Sequence, residues 1–312
     1  MTPRTAGPVP GLTGHRTGDR VLSRGRDQGR GRGRGGSGRG AAGVDPQSFD
    51  HLPARYDRIA TLTAAELRTW LISHLPTRAH RALDAGCGTG LYTGLLADRC
   101  NEVTAVDKSA PMIEFARAHR NRGNIRWTHA DLHTITPDTD GTYDVVLSTH
   151  VLHYLPDLTD ALHHLRTLTR PGGTVVLVDT IAPHTANPHA ASNAAPGDGP
   201  GNLGAAGSDA GWREWVHRPA RLRTEAWRTF RADLRHSRRP ASEAVELLRL
   251  SLDPDWINHR STDRLLTAAE WDTHTRAVFP GATTRPLTGS LTGSRTGVRT
   301  LHWQAPEHRA GR

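Results

Sequence analysis

The sequence predicts an α/β fold with a doubly wound, mostly parallel sheet, and three observations carry that prediction. Short apolar runs alternate along residues 81–179 with segments of helical spacing. Several runs are apolar at successive positions, as in Val145-Val146-Leu147 and Val175-Val176-Leu177-Val178, the pattern of strands buried on both faces. The first run leads directly into a glycine-rich turn, Gly86-Cys87-Gly88-Thr89-Gly90, that opens a helix.

Ahead of the sheet, residues 1–44 hold nine Arg and two Asp, and so seven of the chain's nine net positive charges, with almost nothing to build a core. This composition predicts a disordered Arg/Gly-rich tail, 1–44, followed by a nearly neutral domain, 45–312. The basic balance belongs to the tail, and the domain is not expected to bind nucleic acid. Residues 64–75 place Leu67, Trp70, Leu71 and His74 on one helix face. Thr63 is the expected N-cap, Glu66 its capping-box partner, and Pro76 the stop. The expected strands are 81–85, 102–106, 124–128, 143–148 and 174–179. Between the last two, Leu158, Ala161, Leu162, Leu165 and Leu168 repeat at helical spacing, with Asp157 as N-cap and Pro171-Gly172-Gly173 as exit turn. Strand-helix-strand repetition calls for right-handed crossovers. Residues 182–211 are rich in Pro, Gly, Ala and Asn and lack periodicity, which predicts a mobile loop. Residues 212–250 read as helical, another helix follows Thr262, and 281–287 with 298–303 read as a closing antiparallel hairpin. Cys87 and Cys100 form no CxxC pair, so no disulfide framework is indicated. No apolar run approaches a membrane span and the N-terminus lacks a signal-peptide core, so a cytoplasmic protein is expected.

The chemistry is concentrated in Leu83-Asp84-Ala85-Gly86-Cys87-Gly88-Thr89-Gly90. A dinucleotide fingerprint would need a glycine at 91 or 93, where Leu91 and Thr93 stand, and the Gly-Lys-Ser/Thr ending of a phosphate loop is missing. A carboxylate just ahead of the glycines, Asp84, would repel a pyrophosphate and suits a ligand bearing an ammonium group. Asp107 follows Gly90 by seventeen residues, at the end of the second strand, where it can hold both hydroxyls of a ribose. Asp131 follows the third strand, either to accept from an adenine amino group or to cap a helix. Three loops thus converge at the carboxyl ends of three strands.

These stretches, taken with Val106-Asp107-Lys108-Ser109-Ala110-Pro111-Met112, Tyr143-Asp144-Val145-Val146, Val151-Leu152-His153-Tyr154-Leu155 and Leu168-Thr169-Arg170-Pro171-Gly172-Gly173, resemble the class I S-adenosylmethionine (SAM)-dependent methyltransferases. The resemblance is to the small-molecule group that includes quinone-biosynthesis enzymes, and it covers about residues 48–181, the final strands loosely. It implies a Rossmann-like sheet of seven strands with the last antiparallel, a helical substrate cap at about 182–260, and SAM as cofactor. It implies transfer of a methyl group to an O, N or C nucleophile of a small molecule. On the resemblance, the loop with Asp84, Gly86, Cys87, Gly88 and Gly90 holds the methionyl part. Asp107 binds the ribose, Lys108 and Met112 flank the adenine, and Asp131 and Leu132 meet its amino edge. Ser148 to His153 border cofactor and acceptor, and Tyr56 closes over the cofactor. Met112 and Tyr56 also read as ordinary core packing.

Nineteen histidines raise the question of a metal, but His129 and His133 have no third ligand fixed by spacing, and no metal is expected. His150 and His153 fall in the segment that the resemblance places beside the transferred methyl, which makes them candidate general bases; an already reactive nucleophile would need none. The insert region holds Trp212, Trp215, Trp227, Trp256 and Trp271, and residues 212–239 carry nine Arg against three acidic residues. A cap of apolar anchors and guanidinium groups suits a planar or anionic acceptor. The plainer reading is an amphipathic helix with Trp215, Leu222, Trp227, Phe230 and Leu234 on one face and Arg outside. A monomer or homodimer without a membrane partner is expected. The rival reading is a non-catalytic SAM-binding or RNA-binding protein that works through its tail; the glycine spacing argues against a nicotinamide-dependent oxidoreductase.

Overall fold

A computed structural model describes residues 49–182, 218–236, 239–263, 265–287 and 297–307. The tail expected over 1–44, nearly all of the loop expected over 182–211, and Trp212 and Trp215 lie outside the described residues.

The sheet is built from β1 (Ala79–Ala85), β2 (Cys100–Asp107), β3 (Ile125–His129), β4 (Tyr143–Thr149), β5 (Thr169–Ile181), β6 (Thr283–Leu287) and β7 (Gly297–Gln304), in the order β3-β2-β1-β4-β5-β7-β6. β1 to β5 pair in parallel, and β7 runs antiparallel between β5 and β6. This is the Rossmann-like α/β architecture with its closing antiparallel pair. Chain order reverses between β1 and β4, so the loops after these two strands part and leave a crevice at their carboxyl ends.

The consecutive apolar residues are explained by the two cores. Val146, Val175 and Leu177 face one core with Leu162 and Leu165 of α6 (Leu158–Thr167) and Trp271 of a late helix, Ala268–Val278. Val145, Leu147, Val176 and Val178 face the other with Leu67 and Leu71 of α2 (Ala65–His74) and Leu95 and Leu96 of α3 (Thr93–Ala97). Each strand is covered on both sides, which removes any need for polar alternation. The remaining helices are α1 (Pro53–Thr63), α4 (Ala110–Arg120), α5 (Pro137–Asp140), α7 (Arg218–His236), α8 (Ala241–Ser251) and α9 (Pro254–Ser261); the late helix is α10. Asp157 caps α6 by accepting from Asp160 N, and Thr267 with Glu270 forms a full capping box on α10.

Two local expectations are corrected. Thr63 does not cap α2: it ends α1, and its hydroxyl donates to Ile59 O and Ala60 O, leaving Ala64 to turn the chain. A Thr inside a helix bonds back to the preceding turn, so its hydroxyl is no longer free to cap the next one. Pro171-Gly172-Gly173 does not stand outside the sheet. β5 begins at Thr169, which pairs with Tyr143, and the proline-glycine stretch is absorbed as an irregularity before register resumes at Val145↔Thr174.

The chain leaves β5 at Ile181 and returns to the same place. Leu266 bridges Ile181, and Ala182 N donates to Leu266 O at 2.7 Å. α7, α8 and α9 lie between these two points, and α8 packs on α7 and α1.

Candidate active site

The loop after β1 is fastened from below. Gly86 N and Cys87 N both donate to Val106 O, at 2.8 and 2.9 Å. Two of its glycines serve different ends. Gly90 (φ +79°) lies against Trp127, whose ring edge would sit 2.5 Å from an added Cβ, so packing requires it. Gly88 (φ +52°) faces open space, where an added Cβ would meet only the Tyr56 ring at 3.7 Å.

Two carboxylates flank the loop. Asp84 is buried beneath it; Oδ2 accepts from Thr93 Oγ1 at 2.6 Å, and Oδ1 has no hydrogen-bond partner among the described residues. Burial pushes its carboxyl up from 3.8 to about 7. Asp107, at the end of β2, accepts from Gly88 N at 2.8 Å and from Ser109 N at 2.9 Å. Burial raises its pKa against these two bonds, and each oxygen keeps a lone pair for a further donor.

These residues border a cavity of about 100 Å³. Of the residues singled out from sequence, Tyr56, Gly86, Gly88, Asp107, Lys108, Met112, Asp131, Leu132 and His150 line it. Asp84, Cys87, Gly90 and Ser148 do not. Cys87 is buried, and the Ser148 hydroxyl is committed to Ala85 O at 2.9 Å. Asp131 does two things at once: it borders the cavity and caps the short turn 132–134 by accepting from His133 N at 2.9 Å. A second cavity of about 190 Å³ adjoins the first, and Phe49, Tyr56, His150 and Tyr154 line both.

His153 lines only the larger one. The residue is 4 % exposed. Its backbone N donates to Asp179 Oδ2 at 3.0 Å, and its Nδ1 lies 2.5 Å from Asp179 Oδ1. Asp179, fully buried at the end of β5, also accepts from Thr180 N at 2.7 Å. A buried carboxylate facing Nδ1 keeps the proton on that nitrogen and leaves Nε2 as the lone-pair side. Nε2 has no hydrogen-bond partner among the described residues. His150 differs. It holds a left-handed backbone (φ +58°), its Nδ1 lies 3.0 Å from Thr180 Oγ1, and burial drives its pKa down to about 4. Sequence reading brought His150 and His153 forward but missed Asp179, Phe49, Tyr154 and Arg260. The one available signal for Asp179 was a carboxylate ending the most apolar strand.

A methyltransferase domain model matches residues 83–177. An uncharacterized methyltransferase of Mycobacterium bovis is 39 % identical over 113 residues, 36 % of this chain and 57 % of that protein. A ubiquinone biosynthesis O-methyltransferase of Azotobacter vinelandii is 29 % identical over 108 residues, 34 % of this chain and 47 % of that protein. The chain thus spans about half the length of these two relatives. A trans-aconitate 2-methyltransferase of Methylobacterium radiotolerans is 32 % identical over 253 residues, 73 % of this chain and 89 % of that enzyme. The chain belongs to the SAM-dependent methyltransferases.

The residues present fit the cofactor of this methyltransferase family. Asp84 offers a buried oxygen without a hydrogen-bond partner among the described residues, suited to an ammonium group, Gly88 leaves open space above the turn, and Asp107 keeps acceptor capacity at the strand end.

Five of the arginines counted from the sequence of this methyltransferase stand away from its cavities, while Arg213 and Arg238 lie outside the described residues. Arg221, Arg223, Arg228, Arg231 and Arg235 of α7 are exposed, and none lines either cavity. The expected amphipathic face holds in part: Leu222 and Phe230 line the larger cavity. Trp227 and Leu234 are exposed, while Ala226, Thr229 and Asp233 are buried. Ala226, Thr229 and Asp233 join Leu222 and Phe230 on the cavity side because α7 roofs a cavity instead of filling a core. Trp256 lines the larger cavity, whereas Trp271 is buried in the sheet core, away from it. No helix among the described residues is long and apolar enough to cross a membrane.

Proposed function

We propose that the protein transfers a methyl group from SAM to a small-molecule acceptor seated in the larger cavity, with His153 as general base. One observation carries the reading: a buried imidazole nitrogen with no hydrogen-bond partner among the described residues borders a cavity that shares a wall with the one holding Gly88 and Asp107. When bound, the cofactor supplies a methyl carbon on a sulfonium sulfur, activated for in-line displacement.

The chain's own residues supply position, closure and proton transfer. Asp107 takes the ribose hydroxyls, Lys108 and Met112 flank the adenine, and Asp131 with Leu132 meets its amino edge. Asp84 and the Gly86–Gly88 turn hold the methionyl end. Fixing the reactants in line can contribute several kcal/mol, up to about 7–11. The domain over 45–312 carries its cap at about 182–260, and α1 with α7, α8 and α9 covers the acceptor and keeps water out. His153 Nε2 takes the acceptor's proton, and Asp179 holds the ring in orientation and balances the imidazolium charge. His150, with a pKa near 4, is too weak a base near neutrality and serves as wall.

Calorimetric titration with SAM and with NAD tests the cofactor half; heat with NAD and none with SAM ends the reading. Release of S-adenosylhomocysteine against a pool of small-molecule acceptors tests the rest. Turnover should survive deletion of residues 1–44; loss of turnover with SAM binding intact would favour a protein that works through its tail.

A further inference from the structure

We infer that the acceptor is an uncharged hydroxyl compound with an apolar, ring-sized body, a phenol by chemical class, and that the larger cavity discriminates against carboxylates. The inference rests on the methyl-transfer reading above and deepens it.

The first argument is the lining. Phe49, Leu222, Phe230, Leu247, Trp256 and Ile257 present aromatic and aliphatic surface from the chain start and from α7, α8 and α9, around a space of about 190 Å³. Such a wall takes up an apolar body of ring size and offers flat faces for stacking.

The second is the charge inventory. Arg260 is the one arginine among the described residues that lines the cavity, and it is already balanced: its Nη1 lies 2.9 Å from Asp263 Oδ2. Burial works against the guanidinium, and Asp263 holds it charged. Asp263 also accepts from Tyr154 Oη at 3.1 Å, which locks the pair into the wall. Asp233 borders the cavity and pairs with Arg239 at 3.0 Å, and Glu225 adds a further carboxylate to the lining. Among the described residues that line the cavity no uncommitted cation stands ready to receive a carboxylate guest, and burying a charge on those terms is costly. The exposed arginines of α7 are not in the lining.

The third is the base. A carboxylate reaches the site already ionised and has no proton to lose, so an imidazole held by Asp179 would have no task. A phenol arrives neutral and must lose its proton, with an ordinary pKa near about 10, within reach of an imidazole acceptor. The step balances. The phenol oxygen bonds to the methyl carbon as the carbon–sulfur bond breaks, that bond's electron pair stays on sulfur, and the hydroxyl proton goes to His153 Nε2.

The test uses three probes of one ring shape. The full chain, saturated with S-adenosylhomocysteine, is titrated calorimetrically near neutral pH with 2-naphthol, 2-naphthoic acid and 2-naphthylmethylamine. The expected result is that 2-naphthol binds at least about tenfold more tightly than either ion. Equal or tighter binding of the naphthoate, tighter binding of the ammonium probe, or no binding of 2-naphthol overturns the inference. The same titration monitors S-adenosylhomocysteine itself, and failure at that stage would count against the methyl-transfer reading instead. Asp263→Asn sharpens the charge argument: with Arg260 released, naphthoate should bind about tenfold more tightly than to the parent chain. Unchanged naphthoate affinity in a folded Asp263→Asn protein would refute the claim that Asp263 is what denies the cavity to anions.

Discussion

The two cavities share Phe49, Tyr56, His150 and Tyr154 but are built by different means. The smaller one is a property of the backbone. Main-chain amides of Gly88 and Ser109 fix Asp107, Val106 O fastens the glycine turn, and the contributing loops all follow parallel strands. The larger one is made by side-chain pairs, one across strands, His153 with Asp179, and two local ones, Arg260 with Asp263 and Asp233 with Arg239. A backbone-built site can change only if the turn changes. A site made of side-chain pairs can be altered one residue at a time, which suits a common cofactor met by varied acceptors.

If that division is right, substitutions should separate cofactor binding from turnover. The largest separation is expected for His153→Gln: turnover falls by about a hundredfold or more while SAM affinity, by titration, stays within a few-fold. A comparable loss of SAM affinity would show that the two regions act as one. Asp107→Ala should do the converse. Losing charge-assisted hydrogen bonds worth about 1.5–3 kcal/mol each lowers SAM affinity by at least about tenfold, with turnover at saturating SAM largely kept. Wild-type affinity in a folded variant, checked by circular dichroism, would place the ribose elsewhere.

Next comes the pH dependence of cofactor binding. The folded pKa of Asp84, about 7, lies above its ordinary 3.8, so the folded state keeps the proton longer. The ligand-free protein therefore loses stability as pH rises from about 4 to about 7, and a bound cation restores it. SAM affinity should weaken about tenfold per pH unit below 7, and Asp84→Asn should flatten that slope. A slope unchanged by Asp84→Asn would detach the ammonium group from this carboxylate. The smallest effect is expected at the shared wall. His150→Gly relieves a left-handed backbone and should shift stability at neutral pH by only about 1 kcal/mol. The sign with pH is opposite to that of Asp84. A histidine whose folded pKa is about 4 costs the fold as pH drops from 6.5 towards 4, because the unfolded chain protonates first, and His150→Gly should remove that decline in thermal melts.

The same division governs what the sequence made legible. The sheet and the smaller cavity could be read because parallel strands announce themselves as unbroken apolar runs and the turn as glycines between Asp84 and Asp107. The larger cavity could not. Asp179 resembles a strand ending, and only pairing across β4 and β5 brings it to His153, twenty-six residues earlier. The periodicity of α7 placed Leu222 and Phe230 inward correctly but also favoured Trp227 and Leu234, which are exposed; a helix that roofs a cavity turns Ala226, Thr229 and Asp233 inward, and hydrophobicity gives no sign of that. Thr63 satisfied every sequence criterion of a cap and was taken by the carbonyls of α1.

The bridge between Ile181 and Leu266 has a bearing on descent. Because the excursion between them starts and finishes at one point, the carboxyl end of β5, its length can vary at little entropic cost, growing only as the logarithm of the residues enclosed. Strand order, register and the turn at Gly88 would not register its exchange for another segment. The chain can therefore be regarded as a fixed reactor with a replaceable front panel, open to recombination at two adjacent seams, so that new acceptor preferences could be inherited whole and need not be assembled by successive point changes.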